Sequence, residues 1–297
     1  MLSSKSLRIT KLRILCSTTS SLRKFCYLLN DSQGNGENTN AGEQKKKIAV
    51  AISGGVDSAV TALMLKKQGY DIIGVHMQNW EKSGDETLDK QGESIGCSEV
   101  DRKDAETVCR KLDIPFHFVS FAKEYWVDVW ETTVKEFATG WLTPNPDILC
   151  NRYIKANILP TYVKENFGIE TIATGHYARI EQWSSETGTK YKLLKGIDKD
   201  KDQSYFLSYL SQNQLSRMKF PLGEFTKKQI KTIAAAEGFD FLSTKKESMG
   251  VCFVGKRKSG FSSFLSQFIP PKPGNLIYQN VAIGLFISSE RKQGKGY

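Results

Sequence analysis

The chain has 297 residues, 39% of them hydrophobic and 25% charged, which is enough for one large α/β domain with a smaller attachment. No stretch approaches the roughly 20 uninterrupted apolar residues of a membrane-spanning helix, so such a helix is excluded and no membrane partner is expected. Lys and Arg outnumber Asp and Glu by 42 to 32, a formal charge of +10; an excess of this size suits a polyanion such as nucleic acid, or is divided between a leader and a solvated surface.

The leader is visible in the first thirty residues. They carry Lys5, Arg8, Lys11, Arg13, Arg23 and Lys24, are rich in serine and threonine, and hold no acid before Asp31. Basic, serine-rich and acid-free is the composition of a mitochondrial presequence, and a secretory signal would need a longer apolar run. Residues 30–44 are polar and glycine-bearing and read as a linker, so 1–44 is expected to stand apart from the folded domain.

Lys47 to Ile52 is a short apolar run that reads as a buried parallel strand. A glycine turn at Ser53–Asp57 leads into a helix over Ser58–Gln68, stopped by Gly69, and Asp71–Met77 reads as the next strand. The alternation continues with a helix over 99–112, a strand over 114–121, helices over 125–140 and 154–166, and a short strand at 171–174. It predicts an α/β fold, a doubly wound parallel sheet with helices on both faces, whose ligands bind beyond the carboxyl ends of the strands. A further helix is expected at 227–238. The run Pro270-Pro271-Lys272-Pro273-Gly274 reads as entry to another module, with too few residues after it to bury a core.

The six cysteines form no C-x-x-C pair and are too sparse for a disulfide scaffold. A reducing compartment fits them, and any disulfide is expected to be catalytic. Cys109 lies on an apolar helical face and reads as core. His117 reads as strand packing and His176 as a site-lining candidate.

Three segments carry chemistry. In Ser53-Gly54-Gly55-Val56-Asp57-Ser58 two glycines let the backbone approach an anion, while helix N-terminal amides and the Ser53 and Ser58 hydroxyls can hold phosphate oxygens. Asp57 is the candidate ligand for a magnesium ion accompanying a nucleotide. No G-x-x-x-x-G-K-[ST] is present, so this is not the loop of enzymes that cut the β–γ bond. In Thr143–Asn151 two prolines present Asn145 and Asp147 rigidly, and Asp147 and Cys150 fall on one side of a first helical turn. An acid there suits proton transfer beside an activated thiol; a capping aspartate with a buried cysteine is the structural alternative. In Ser248–Gly255, Cys252 stands near Lys245, Lys246, Lys256 and Arg257, whose charge should favour its thiolate.

S-G-G-x-D-S is similar to the signature of the ATP pyrophosphatases, which cut between the α- and β-phosphates. Together with Gly74-Val75-His76-Met77, Thr143–Asn151, Ala173–Tyr177, Asp200–Leu207 and Gly250-Val251-Cys252-Phe253, it resembles the tRNA-specific 2-thiouridylase family in its mitochondrial form, from about Lys47 to Gly274. The resemblance implies a sheet of the adenine nucleotide α-hydrolase type over 45–260, then an incomplete second domain over 261–297.

It also implies roles. Ala51, Ile52, Ser53, Gly54, Gly55, Val56, Asp57, Ser58, Met77 and Gly175 would bind ATP with Mg2+. Asn145, Pro146 and Asp147 would contact a flipped wobble uridine, with Asp147 as acid/base. Lys201, Asp202 and Gln203 would touch the tRNA. Cys252 would carry sulfur as a persulfide from a sulfur-relay protein, and Cys150 would help release it, leaving a Cys150–Cys252 disulfide. The expected product is 2-thiouridine in mitochondrial tRNA, made in the matrix.

Ala156-Asn157 departs from the family, which has Phe after Ile-Lys. The family also continues into a central domain and a C-terminal barrel, whereas Val281–Tyr297 does not resemble that continuation. The expectation is therefore a truncated or alternatively spliced form with its catalytic motifs intact. Two competing readings are a catalytically impaired form that binds ATP or partners only, and another adenylating synthetase that needs no paired cysteines.

Overall fold

The computed structural model describes residues 45–80, 87–88, 94–95, 97–139, 144–186, 188–243, 245, 264–269, 273–278 and 281–287. The expected leader, the Ser248–Gly255 loop with Cys252, and Lys246, Lys256 and Arg257 lie outside the described residues.

Lys47–Ala51 forms β1, buried from Ile48 onward. Val56–Lys67 forms α1 and Asp71–Gln78 forms β2. Two two-residue strands, β3 (Thr87–Leu88) and β4 (Ser94–Ile95), pair with each other. Then come α2 (Cys97–Leu112) and β5 (Phe116–Ser120). The helix expected from 125 begins earlier: α3 (Ala122–Tyr125) passes through a π-helical turn, Trp126–Trp130, into α4 (Glu131–Thr139). The next also begins earlier than expected, as α5 (Pro146–Leu149), a π-helical stretch Cys150–Ile158, and α6 (Leu159–Phe167). Proline at the first position of α5 needs no hydrogen bond from its nitrogen, which is why the helix can start there.

After β6 (Ile172–Ala173) the chain makes a hairpin that the sequence reading did not anticipate, β7 (Ala178–Ser185) with β8 (Gly188–Lys195). A 3₁₀ turn Ser204–Leu207, α7 (Gln212–Ser216), β9 (Met218–Lys219) and a second 3₁₀ turn Pro221–Glu224 follow. Helix α8 (Lys227–Ala236) opens on a capping box in which Thr226 and Gln229 satisfy each other's backbone amides. Short α9 (Asp240–Ser243) comes next. An antiparallel hairpin, β10 (Pro273–Tyr278) with β11 (Val281–Ile287), occupies the stretch expected only to open a further module.

The main sheet has the order β5-β2-β1-β6-β9, and every pairing in it is parallel. Side chains of β1 alternate between two cores. Ile48, Val50 and Ile52 pack with α1, α2 and α8, whereas Ala49 and Ala51 pack with Val129, Trp130, Cys150, Ile154 and Leu159. This is the doubly wound arrangement expected, with both faces of the sheet covered. Gly74 in β2 permits close packing on the first face, because a Cβ there would collide with the sulfur of Cys109. Cys109 is buried, and burial pushes its thiol up to about 12, with Glu106 adding to the effect. It is a core residue.

Candidate active site

The strand order turns around β1. From β1 the chain moves outward to β2 and β5, then returns to the other side with β6 and β9. The loops leaving the carboxyl ends of β1 and β6 therefore diverge at a topological switch point, where open α/β sheets hold their ligands. Ser53–Gly55 leaves one strand and Thr174–Tyr177 leaves the other.

The first loop is shaped by its own hydrogen bonds. The Ser53 amide donates to Ser58 Oγ at 3.1 Å, and Ser58 Oγ donates to the Gly55 carbonyl at 3.0 Å. Ser58 is buried and spends its hydroxyl on the loop, while Ser53 is exposed; of the two, Ser53 is the one that faces outward. Gly54 has φ +75°, and a Cβ on it would collide with the Asp101 carbonyl, so glycine is required there. Helix α1 begins at Gly55 with no side-chain cap. An uncapped helix start in a glycine turn at a switch point is a donor set suited to phosphate oxygens. Gly175 packs directly on it, for a Cβ there would lie 3.0 Å from the Asp57 Cβ and the Ser58 nitrogen. Ala51 and Ile52 are buried beneath the loop, and Met77 is half-buried on β2.

Asp57 does not present a free carboxylate for magnesium. Lys227 at the start of α8 bonds both its oxygens, at 2.9 and 2.7 Å, and the Tyr177 hydroxyl donates to Oδ1 at 2.7 Å. Among the described residues no group of three or more His, Cys, Asp or Glu side chains could hold a metal ion. The residues present do not fit a protein-held Mg2+.

Lys245 closes the other side of the loop. Its ammonium bonds the Gly54 carbonyl at 3.2 Å, Asp101 Oδ1 at 2.7 Å and Asp104 Oδ2 at 2.5 Å. Burial works to lower its pKa, but the two aspartates outweigh it and the net shift is upward. Of the positive charges expected to favour the Cys252 thiolate, that of Lys245 is thus already matched by two carboxylates.

The second motif starts α5. Asn145, not Asp147, is the cap: its side-chain oxygen accepts from the Asp147 amide at 3.1 Å. The Asp147 carboxyl is left without a capping duty, and burial raises its pKa above the ordinary carboxylate value, with Lys155 opposing. Pro146 and Cys150 are buried, and the Asn79 side-chain amide lies 3.9 Å from Cys150 Sγ. Asn79 Oδ1 and Asn151 Oδ1 are buried with no hydrogen-bond partner among the described residues. Ala156 is fully packed in the core behind Cys150.

In the segment Lys201–Gln203 two side chains bond within the fold. Gln203 clips the backbone of Tyr177, accepting its amide on Oε1 at 3.0 Å and donating its own amide to the Tyr177 carbonyl at 2.9 Å. Asp202 accepts from the Gly196 amide at 2.8 Å and the Ser204 hydroxyl at 2.8 Å. Burial pushes the Asp202 carboxyl up, but these bonds prevail and its pKa is lowered. Both side chains are committed to the fold. His176 is buried, bonded through Nδ1 to Thr174 Oγ1 at 2.6 Å, and burial holds its pKa well down, with Lys155 adding. His76 is also buried, lowered chiefly by burial, with Nδ1 2.7 Å from the Ile52 carbonyl. His117 packs on Phe167 with ring centroids 4.3 Å apart.

Lys245 and Phe264 stand close to these motifs. Lys245 is anchored on Gly54. Phe264 is buried against Trp80 and Trp130, with ring centroids 5.6 and 5.1 Å away, and Trp80 follows Asn79, the neighbour of Cys150.

Residues 46–256 match the family described as tRNA methyl transferase HUP domain. The chain belongs to this family. Members similar to it include the mitochondrial tRNA-specific 2-thiouridylase 1 of Gallus gallus, 44% identical over 261 residues that cover 78% of this chain and 59% of that protein. The tRNA-specific 2-thiouridylase MnmA of Hydrogenovibrio crunogenus is 47% identical, covering 78% and 57%. The chain thus spans somewhat under two thirds of the length of the curated relatives it matches. The U34-tRNA thiolase NcsA from Methanococcus maripaludis is a more distant likeness, 16% identical, with TM-score 0.46 over 84% of this chain and 75% of that one. Within the HUP domain family, the residues that the sequence did not single out are Lys227, Asn79, Asp101 and Asp104. Their partners lie far away along the chain, and only the fold brings Lys227, Asp101 and Asp104 to the loop and Asn79 to Cys150.

Proposed function

We propose that this chain carries the catalytic apparatus of an ATP-dependent tRNA uridine 2-sulfurtransferase of mitochondria, working in the matrix. The observation that carries the reading is the start of α5, where a carboxyl raised by burial precedes the buried thiol of Cys150 by three residues. That pair stands in a domain that also holds a phosphate-type loop. The relatives' names support the acceptor, tRNA, and the chemistry, thiolation. The family description speaks instead of methyl transfer, a reaction that gives an acid and a thiol in a domain with an ATP-type loop no evident task.

ATP is a substrate, held by the amides at the start of α1, the Ser53 hydroxyl and the backbone at Gly175. The uridine C2 oxygen attacks the α-phosphorus and pyrophosphate leaves. Asp147, whose carboxyl is raised by burial, is the acid/base group: it takes the uridine N3 proton as the C2 oxygen attacks and returns it when 2-thiouridine is released. The terminal sulfur of a Cys252 persulfide adds to C2, and AMP departs. Cys150 thiolate attacks the inner sulfur, so the S–S bond of the persulfide breaks as the Cys150–Cys252 disulfide forms. Two cysteines are oxidised, the transferred sulfur is reduced, and an external dithiol reopens the disulfide. A sulfur-relay protein reloads Cys252. Extrusion of the base from its stack gives access to C2.

The test is the nucleotide product. Incubation with unmodified tRNA and ATP should release AMP and pyrophosphate in step with 2-thiouridine. Release of ADP and phosphate would remove the reading, and AMP formation indifferent to thiol alkylation would favour the synthetase alternative.

A further inference from the structure

The Asp200–Leu207 motif and the turn after it present more than the side chains expected to touch tRNA. Asp202 and Gln203 are half-buried and hold Gly196, Ser204 and Tyr177. The exposed aromatic side chains of this stretch and the turn that follows it are tyrosines. Tyr205 is 64% exposed and Tyr209 is 60% exposed, among the most exposed large apolar side chains described.

They do not stand alone. The guanidinium of Arg152 lies 5.8 Å from the Tyr209 ring centroid and 5.4 Å from that of Tyr153. The turn is fixed by Ser208 Oγ donating to the Tyr205 carbonyl at 2.8 Å. It is fastened to the candidate site on two sides: Asn151, next to Cys150, donates to the Phe206 carbonyl at 3.2 Å, and Gln203 holds Tyr177, whose hydroxyl reaches Asp57. Gln214 donates to the Arg152 carbonyl at 2.7 Å and holds that backbone in place.

We infer that Tyr205, Tyr209 and Arg152 form a stacking platform for unpaired RNA bases at the rim of the site, an inference that rests on the thiolation reading. Exposed aromatic rings on a rigid turn with an arginine beside them offer π-faces and a cation, the chemistry by which unstacked bases and the backbone between them are held. A flipped nucleotide leaves its neighbours without a stacking partner, and rings at the rim replace it. The chain's excess of positive charge suits the same polyanion.

The experiment is fluorescence anisotropy of labelled, unmodified tRNA with the 297-residue chain, its Tyr205→Ala/Tyr209→Ala variant, its Tyr205→Phe/Tyr209→Phe variant and Arg152→Ala. The alanine pair should weaken binding at least about 5-fold while leaving the salt dependence unchanged, because stacking carries no counterion release. The phenylalanine pair should bind like the wild type, and Arg152→Ala should reduce the salt slope. ATP binding, followed separately, should be unaltered in all three. Wild-type affinity in the alanine pair would overturn the platform while leaving the thiolation reading intact, and would turn attention to a protein partner for this face. A wild-type chain that binds no tRNA would overturn both.

Discussion

Lys227 Nζ lies 2.7 Å from Oδ2 and 2.9 Å from Oδ1 of Asp57, joining the start of α8 to the start of α1 across 170 residues of sequence. The lysine is 11% and the aspartate 30% exposed, so the pair sits between the surface regime, where ion pairs contribute little, and the buried one, where breaking a pair is costly. Lys227→Met should therefore destabilise the chain by about 1–3 kcal/mol, less than a fully buried pair would lose. The same change frees the Asp57 carboxylate beside the phosphate-type loop, so KM for ATP should rise. Urea unfolding of Lys227→Met, Asp57→Asn and the double variant measures the coupling; additive losses would show that the pair contributes no net stability.

Gly74→Ala tests the packing of α2 on the sheet. Its Cβ would meet Cys109 Sγ, a short side chain with nowhere to move, and also Ile52 Cγ1 at 3.2 Å. The expected loss is about 1–3 kcal/mol, typical of an overpacked core. Cys109→Ala in that background should recover part of it, since removing the sulfur opens the space. Absence of recovery would place the strain elsewhere.

Asp147 gives a pH signature. Its folded pKa is raised above the ordinary 3.8, chiefly by burial. Between those two values the folded state holds more protons than the unfolded one, so stability falls as pH rises through the window. Below the ordinary value the penalty is absent. Asp147→Asn removes the titration, and its Tm should fall less than that of the wild type between pH 4 and neutrality. Activity of the wild type should change as pH climbs through the raised pKa, because the acid/base group changes its protonation there. Identical pH profiles of Tm in the two proteins would contradict the assignment.

The parallel core was legible because β1 is a continuous apolar run bounded by a lysine cluster and a glycine turn, and because α1 ends at Gly69. The β7–β8 hairpin was not. Its strands are half-exposed or exposed along most of their length, so neither an apolar run nor a clean alternation marks them, and a turn with Gly188 at φ +101° does the work locally. The anion loop and the Asp147/Cys150 pair were readable as motifs. What the sequence concealed was tertiary: that Lys227 and Tyr177 occupy Asp57, that Lys245 is matched by Asp101 and Asp104, and that Asn145 takes the cap that Asp147 was free to take. Each of these depends on which groups meet in space, and hydrophobic periodicity carries no trace of it.

The central claim is sulfur transfer to a tRNA uridine through paired cysteines. Its most direct test is mass spectrometry of nucleosides from unmodified mitochondrial tRNA after incubation with the purified chain, ATP, a persulfide donor and a dithiol, with Cys150→Ser and Cys252→Ser run beside it. The wild type should yield 2-thiouridine and neither variant should, with ATP binding preserved in both. Thiolation retained in either variant, or ATP bound by the wild type with no 2-thiouridine formed, would contradict that claim.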